Sequence, residues 1–175
     1  MIRKAEPRDT SALLALAAAT GVFEPSEAEE LLGSALRDVH AGQLGPTHTA
    51  FVWEAAELDI SGWVYVSAEA HSDRAWQLWW IGVDPASQGK RVGSRLLHFV
   101  EEHVQQAGGR LLLIETSSLS TFEHTRRFYT SKGYAECGCI PDFYADGDSK
   151  VIFHKKLEES CTLICRVDNL ISEPK

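Results

Sequence analysis

The stretch Val83-Asp84-Pro85-Ala86-Ser87-Gln88-Gly89-Lys90-Arg91-Val92-Gly93-Ser94 decides how the rest of the chain is read. Upstream of it, Arg74 to Val83 is an aromatic run rich in strand formers. Downstream, Val92, Leu96, Leu97, Val100 and Val104 fall on one helical face, and Gly108-Gly109 ends the pattern. A strand end, a loop with glycines and a helix start together make an anion-binding arrangement. The first helical N–H groups have no partner inside the helix and the helix dipole is positive there, so a phosphate is favoured. Lys90 and Arg91 add two cations at that point. A Walker A loop is excluded, because six residues rather than four separate Gly82 from Gly89 and Arg91, not Ser or Thr, follows Lys90. The G-x-G-x-x-G spacing is also absent, so ATP hydrolysis and dinucleotide redox chemistry lose their main sequence support. The competing reading is an ordinary strand-to-helix loop with a surface basic pair.

Working outward from the loop, Ile2 to Glu6 reads as a short strand, and Asp9 or Thr10 caps an Ala/Leu-rich helix through about Ala19. A second helix follows Pro25 with a capping box, Ser26-x-x-Glu29, and lasts until Gly42. Thr49 to Ala55 and Asp59 to Ser67 read as a hairpin. Beyond the central helix, Leu111 to Thr116 is a buried strand, and a second capping box, Ser120-x-x-Glu123, opens a helix that stops at Gly133. Tyr134 to Ile140 and Lys150 to Leu157 are two more strands around an acidic, aromatic loop from Pro141 to Asp148. This order predicts an α/β fold of the α+β kind, a mixed sheet with helices on both faces.

The chain has 175 residues, 44% hydrophobic and 24% charged, enough for one domain that buries roughly 70% of its unfolded-chain surface. Seventeen Lys and Arg stand against 25 Asp and Glu, a net charge of −8, with no basic run, which argues against nucleic acid as a partner. No apolar run approaches the ~18 residues of a membrane span, and Met1-Ile2-Arg3-Lys4 is charged where a signal peptide would be apolar. A cytoplasmic protein is the expectation. Cys137, Cys139, Cys161 and Cys165 match neither a secreted disulfide framework nor paired C-x2-C knuckles, and reduced, buried thiols are expected. A thiolate metal site would need the two cysteine segments to pair as strands, and no metal is assigned. Composition shifts at residue 158, dividing the chain into a domain over 1–157 and an extension over 158–175. Within that extension, Cys161 to Val167 could add a strand in cis, or in trans to form a homodimer.

Gln88-Gly89-Lys90-Arg91-Val92-Gly93, followed by Ser94-Arg95-Leu96-Leu97, resembles the Q/R-x-x-G-x-G/A acetyl-coenzyme A signature of the GNAT N-acetyltransferase superfamily. Arg91 stands where that family usually has its middle glycine. The resemblance extends over residues 1–157 and includes Phe128-Tyr129-Thr130-Ser131-Lys132-Gly133-Tyr134, similar to the family's F-Y-x-x-x-G-F/Y segment. Trp79-Trp80-Ile81-Gly82-Val83-Asp84-Pro85, Glu115-Thr116-Ser117-Ser118 and Pro141-Asp142-Phe143-Tyr144 are similar to bacterial members of mostly unassigned substrate.

The resemblance implies a mostly antiparallel sheet with a splayed central strand pair, acetyl-coenzyme A as co-substrate and an amine as acceptor. It places Gln88, Gly89, Lys90, Arg91, Val92, Gly93 and Ser94 around the pyrophosphate, and Ile81 and Val83 beside pantetheine through their backbone. Tyr129 matches the family's general acid toward the departing thiolate. A tyrosine of pKa ~10 donating to a thiolate of conjugate pKa ~8.5 is uphill by only about 2 kcal/mol. The family's pantetheine-binding asparagine is Phe122 here, and its strand glutamate is Gln77. The base is therefore sought elsewhere, and Glu115, a carboxylate ending an otherwise apolar strand, is the best candidate, ahead of His124 and His71. Asp142, Tyr144, Asp146 and Asp148 could line a pocket for a cationic amine, or be an acidic surface turn. The missing glutamate and asparagine also fit a non-catalytic acyl-coenzyme A sensor.

Overall fold

A computed structural model describes residues 1–22, 25–56 and 59–157. Seven strands form one sheet: β1 (Ile2–Lys4), β2 (Thr49–Ala56), β3 (Asp59–Ala68), β4 (Ala75–Val83), β5 (Leu111–Ser117), β6 (Ala135–Ala145) and β7 (Asp148–Lys156). Their spatial order is β1-β2-β3-β4-β5-β7-β6, antiparallel throughout except for β4 beside β5. The helices are α1 (Thr10–Ala19), α2 (Pro25–Ala28), α3 (Ser34–His40), α4 (Val92–Gln106) and α5 (Glu123–Ser131).

Both faces of the sheet carry a core. On the first face, Leu96, Leu97, Val100 and Val104 of α4 and Tyr129 of α5 pack on Val64, Val66, Leu78, Leu112, Ile114 and Phe153. On the second, Leu13 and Leu16 of α1 and Leu36 of α3 pack on Ala50, Val52, Trp63 and Tyr65. Strands buried on both sides read as continuous apolar runs, which explains the composition of β3 and β4.

Two irregularities of β4 shape the molecule. Tyr65 pairs with Trp80 and Val66 with Leu78, so Trp79 is an extra residue, a β-bulge. One inserted residue inverts the alternation of side chains. Strict alternation would place Trp76 and Trp80 on one face. Instead Trp76 enters the first core, Trp80 packs on Trp63 in the second at 5.9 Å between rings, and Ile81 and Val83 return to the first. The second irregularity is that β4 and β5 pair only from Ala75 with Leu111 to Leu78 with Ile114. Beyond that point β4 continues with β3 to Val83 and β5 with β7 to Ser117, so the two strands separate.

Several local expectations are corrected. The second helix begins at Pro25, putting Ser26 inside it, and a π-helical turn, Glu29–Gly33, separates α2 from α3. No side chain caps α5; Ser120 heads a 3-10 turn and Glu123 is ion-paired to Arg127 one helical turn on. The acidic loop is the continuation of β6 into a tight hairpin, closed at Asp146-Gly147. Cys137 and Cys139 are exposed, not buried. The expected strand from Cys161 to Val167, with its two cysteines, lies outside the described residues.

Candidate active site

The separation of β4 from β5 opens a cavity of about 370 Å³ on the first face of the sheet. Ile81 and Val83 line one wall, Gln88, Gly89, Arg91, Val92, Gly93 and Ser94 the loop end, and His124, Thr125, Phe128 and Tyr129 the α5 wall. Lys90 is exposed and outside that lining.

The loop is built for close approach to a ligand. Asp84 accepts a hydrogen bond from the Ala86 N–H at 2.9 Å and so fixes the turn after β4. Gly89 then adopts φ +75 and Arg91 φ +64. A left-handed residue explains why a glycine suits the Arg91 position, and the side chain there carries a backbone penalty of about 1 kcal/mol. The first bond of α4 runs from the Arg95 N–H to the Arg91 carbonyl at 3.0 Å, and among the described residues no side chain caps the helix. The amides of Val92, Gly93 and Ser94 thus remain open to an anion in a 15-residue helix. A Cβ on Gly93 would meet only Val83 at 3.5 Å and Phe128 at 3.9 Å, so it is the cavity, not the core, that a larger side chain would fill.

Tyr129 stands at the inner end of the cavity, 4% exposed, with its ring 5.9 Å from Phe153 and 6.0 Å from Tyr134. Burial pushes its phenol well above the usual value, so the hydroxyl keeps its proton. Tyr134 instead donates to Glu101 at 2.9 Å, which leaves Tyr129 as the phenol facing the cavity.

Glu115 stands on the opposite face. Leu112 and Ile114 point into the first core, so Glu115 points to the second face, as do Lys150 and Ile152 of β7. Lys150 Nζ lies 2.7 Å from Glu115 and 3.7 Å from the centre of the Phe143 ring. Sequence reasoning missed this lysine, because only the β5–β7 register brings it beside Glu115. Trp79, half-exposed on the same face, donates from Nε1 to Ser67 Oγ at 2.8 Å and stacks on Tyr65. Tyr65 in turn bonds His48 Nδ1 at 2.6 Å, and burial pushes its phenol up to about 12. Gln77 is buried in the sheet near this opening, where a carboxylate base was absent from the sequence.

Two acidic residues of the β6–β7 hairpin are bonded to neighbouring backbone and hydroxyl groups. Asp148 accepts from the Ser117 hydroxyl and the Ser118 N–H, and Asp142 accepts from the Gly147 N–H. Among the described residues there is no group of three or more His, Cys, Asp or Glu placed to hold a metal ion, and no helix is long and apolar enough to cross a membrane.

The family model of the acetyltransferase (GNAT) domain matches residues 46–136, which span β2 to α5 and the whole cavity. Among solved structures, a candidate GNAT-family acetyltransferase from Desulfovibrio desulfuricans is 28% identical, with a TM-score of 0.81 over 90% of this chain and 99% of that one. The ribosomal-protein-S18-alanine N-acetyltransferase from Escherichia coli shares the fold at 15% identity and TM-score 0.70, covering 94% of this chain and 97% of its own. An aminoglycoside 6'-N-acetyltransferase in complex with coenzyme A does so at 17% and 0.68, covering 90% and 97%. No curated protein matches the chain. A family match over more than half the sequence, on a sheet whose central strands part beside an uncapped helix, makes this chain a member of the GNAT acetyltransferase family.

Proposed function

We propose that residues 1–157 form an acetyl-coenzyme A dependent N-acetyltransferase that modifies a primary amine. The observation that carries this reading is the continuous cavity from the uncapped start of α4 to Tyr129, along the unpaired edge of β4. Its loop end offers amide donors and the Arg91 guanidinium to a pyrophosphate. Past Leu78, the β4 edge that faced β5 has no strand partner among the described residues, so its amides and carbonyls are available to an extended pantetheine chain.

Transfer divides between the faces of the sheet. A neutral amine arriving from the second face attacks the thioester carbon; backbone donors stabilise the oxyanion, and the C–S bond then breaks. Tyr129 gives its proton to the departing thiolate, and the nitrogen gives up its proton to Glu115 or to water. The Lys150 ion pair must loosen for Glu115 to accept it. Gln77 in place of a strand carboxylate favours a second reading, a module that binds acyl-coenzyme A without turnover. A panel of amines and peptides incubated with acetyl-coenzyme A, read by thiol release, separates the two: acceptor-dependent release supports the enzyme, and binding without release supports the module.

A further inference from the structure

The second face of the sheet around Glu115 combines features that the transfer reaction alone does not require. Among the described residues, α1 and α3 pack on the β2–β3 side of that face, and no helix packs over β5 and β7. Three large aromatic side chains are left open to solvent around it: Trp79 at 52%, Phe143 at 50% and Tyr144 at 47%. Trp79 is the bulged residue of β4, one step past the last β4–β5 pair, and Glu115 holds the equivalent position on β5. Phe143 and Tyr144 come from the far side. Ile140 pairs with Lys150 and Ala145 with Asp148, so four residues, 141–144, face the single residue Ser149. Asp142 takes φ +50 within this bulge and is held there by its bonds to Ser149 and Gly147. A strained four-residue bulge that presents two rings to solvent is a feature of sites, where bulges re-aim side chains.

Lys150 fixes the arrangement. Its ammonium lies between Glu115 at 2.7 Å and the Phe143 ring at 3.7 Å, with Tyr144 at 5.9 Å. The rings therefore stand beside the Glu115 carboxylate at the mouth of the strand opening. Three strand steps separate Trp79 on β4 from Phe143 on β6, about 14 Å at the ~4.8 Å of paired strands and wider where β4 has parted from β5, room for a planar group between them. The Glu115 carboxylate is already paired with Lys150, while Asp142 and Asp148 accept hydrogen bonds from backbone and hydroxyl groups nearby. An apolar ring would find three aromatic surfaces to cover.

We propose that the preferred acceptor is a primary amine borne on an aromatic or planar apolar body, seated between Trp79 and the Phe143–Tyr144 pair with its nitrogen beside Glu115. This rests on the transfer reaction proposed above and adds the class of acceptor.

The test compares 2-phenylethylamine, n-butylamine and spermidine as acceptors with acetyl-coenzyme A, in the full chain and in a Phe143→Ala, Tyr144→Ala double variant. The aromatic amine is expected to lead in kcat/KM by about tenfold, and the double variant to remove that lead by raising KM for 2-phenylethylamine more than for n-butylamine. Both rings are half-exposed, so the variant should fold, and an unshifted melting temperature verifies it. A lead for spermidine, or equal losses for both monoamines, overturns the proposal. A second readout does not depend on turnover: 2-phenylethylamine should produce a saturable change in tryptophan emission that Trp79→Phe abolishes. That change without thiol release for any amine would contradict the transfer reaction and retain the aromatic site. Emission unmoved by the amine would overturn the site, including the case in which another part of this chain or a second copy covers it.

Discussion

Leu78 of β4 and Ile114 of β5 are the last residues through which the two parallel strands stay paired, and both are buried in the core beneath α4. The parting of the chain beyond them creates two mouths. On one face lie the uncapped amides of α4 and the phenol of Tyr129; on the other stand Trp79, Glu115 and Lys150. In the transfer reaction proposed above, that parting is the route between a donor on one face and an acceptor on the other.

Replacing Tyr129 with Phe removes a hydroxyl and keeps the ring that packs on Phe153 and Tyr134. Burial raises the phenol and so makes proton donation to a thiolate harder than between free groups. The expected loss in kcat is therefore about tenfold, below the usual range for general acids, with donor affinity unchanged. Steady-state kinetics with calorimetric coenzyme A binding checks both parts.

The same burial sets the pH profile. Because the Tyr129 pKa is raised, its proton stays on as pH rises through the ordinary tyrosine value of about 10, while the acceptor amine gains its free base. The rate is thus expected to climb with pH, with no descending limb below about pH 10. A descending limb that vanishes in Tyr129→Phe would assign Tyr129 an unperturbed or lowered pKa.

Gly93→Glu is expected to abolish coenzyme A binding through bulk and like charge at the phosphate end, with the fold intact. Gly93→Ala is the control, since its Cβ finds ordinary contact with Val83 and Phe128. Circular dichroism and thermal melting of both variants, beside their coenzyme A affinities, decide the matter.

Arg91→Gly separates backbone from side chain. Relief of φ +64 is expected to offset the larger entropy of a glycine in the unfolded chain, leaving stability within about 1 kcal/mol of the parent. Loss of the guanidinium should weaken coenzyme A binding in a salt-dependent way. Titrations at two ionic strengths test this.

Gly109→Ala is a stability prediction away from the site. A Cβ there would come within 2.6 Å of the Trp76 ring at the join between α4 and β5. Overpacking of this kind costs about 1–3 kcal/mol, which denaturant titration would show.

Much of this was legible in the sequence. The apolar spacing of Val92 to Val104 gave α4 and its buried face, and the glycines around Arg91 gave the loop. Trp79 was not legible as a bulge, because alternation inverts only where β3 is seen to skip a partner. Nor was the hairpin through Pro141 to Asp148, since its polar residues read as a loop until their carboxylates are seen bonding backbone and hydroxyl groups. The Lys150 ion pair depends on the β5–β7 register, which is a long-range relation.

The most direct test of transfer from acetyl-coenzyme A to an amine is to supply acetyl-coenzyme A labelled in its acetyl group and weigh the acceptor by mass spectrometry. One labelled acetyl group on the amine nitrogen, formed in step with free coenzyme A and slowed in Tyr129→Phe, is the predicted result. Tight coenzyme A binding at the α4 loop with no labelled amine, across aromatic, aliphatic and peptide acceptors, would contradict it.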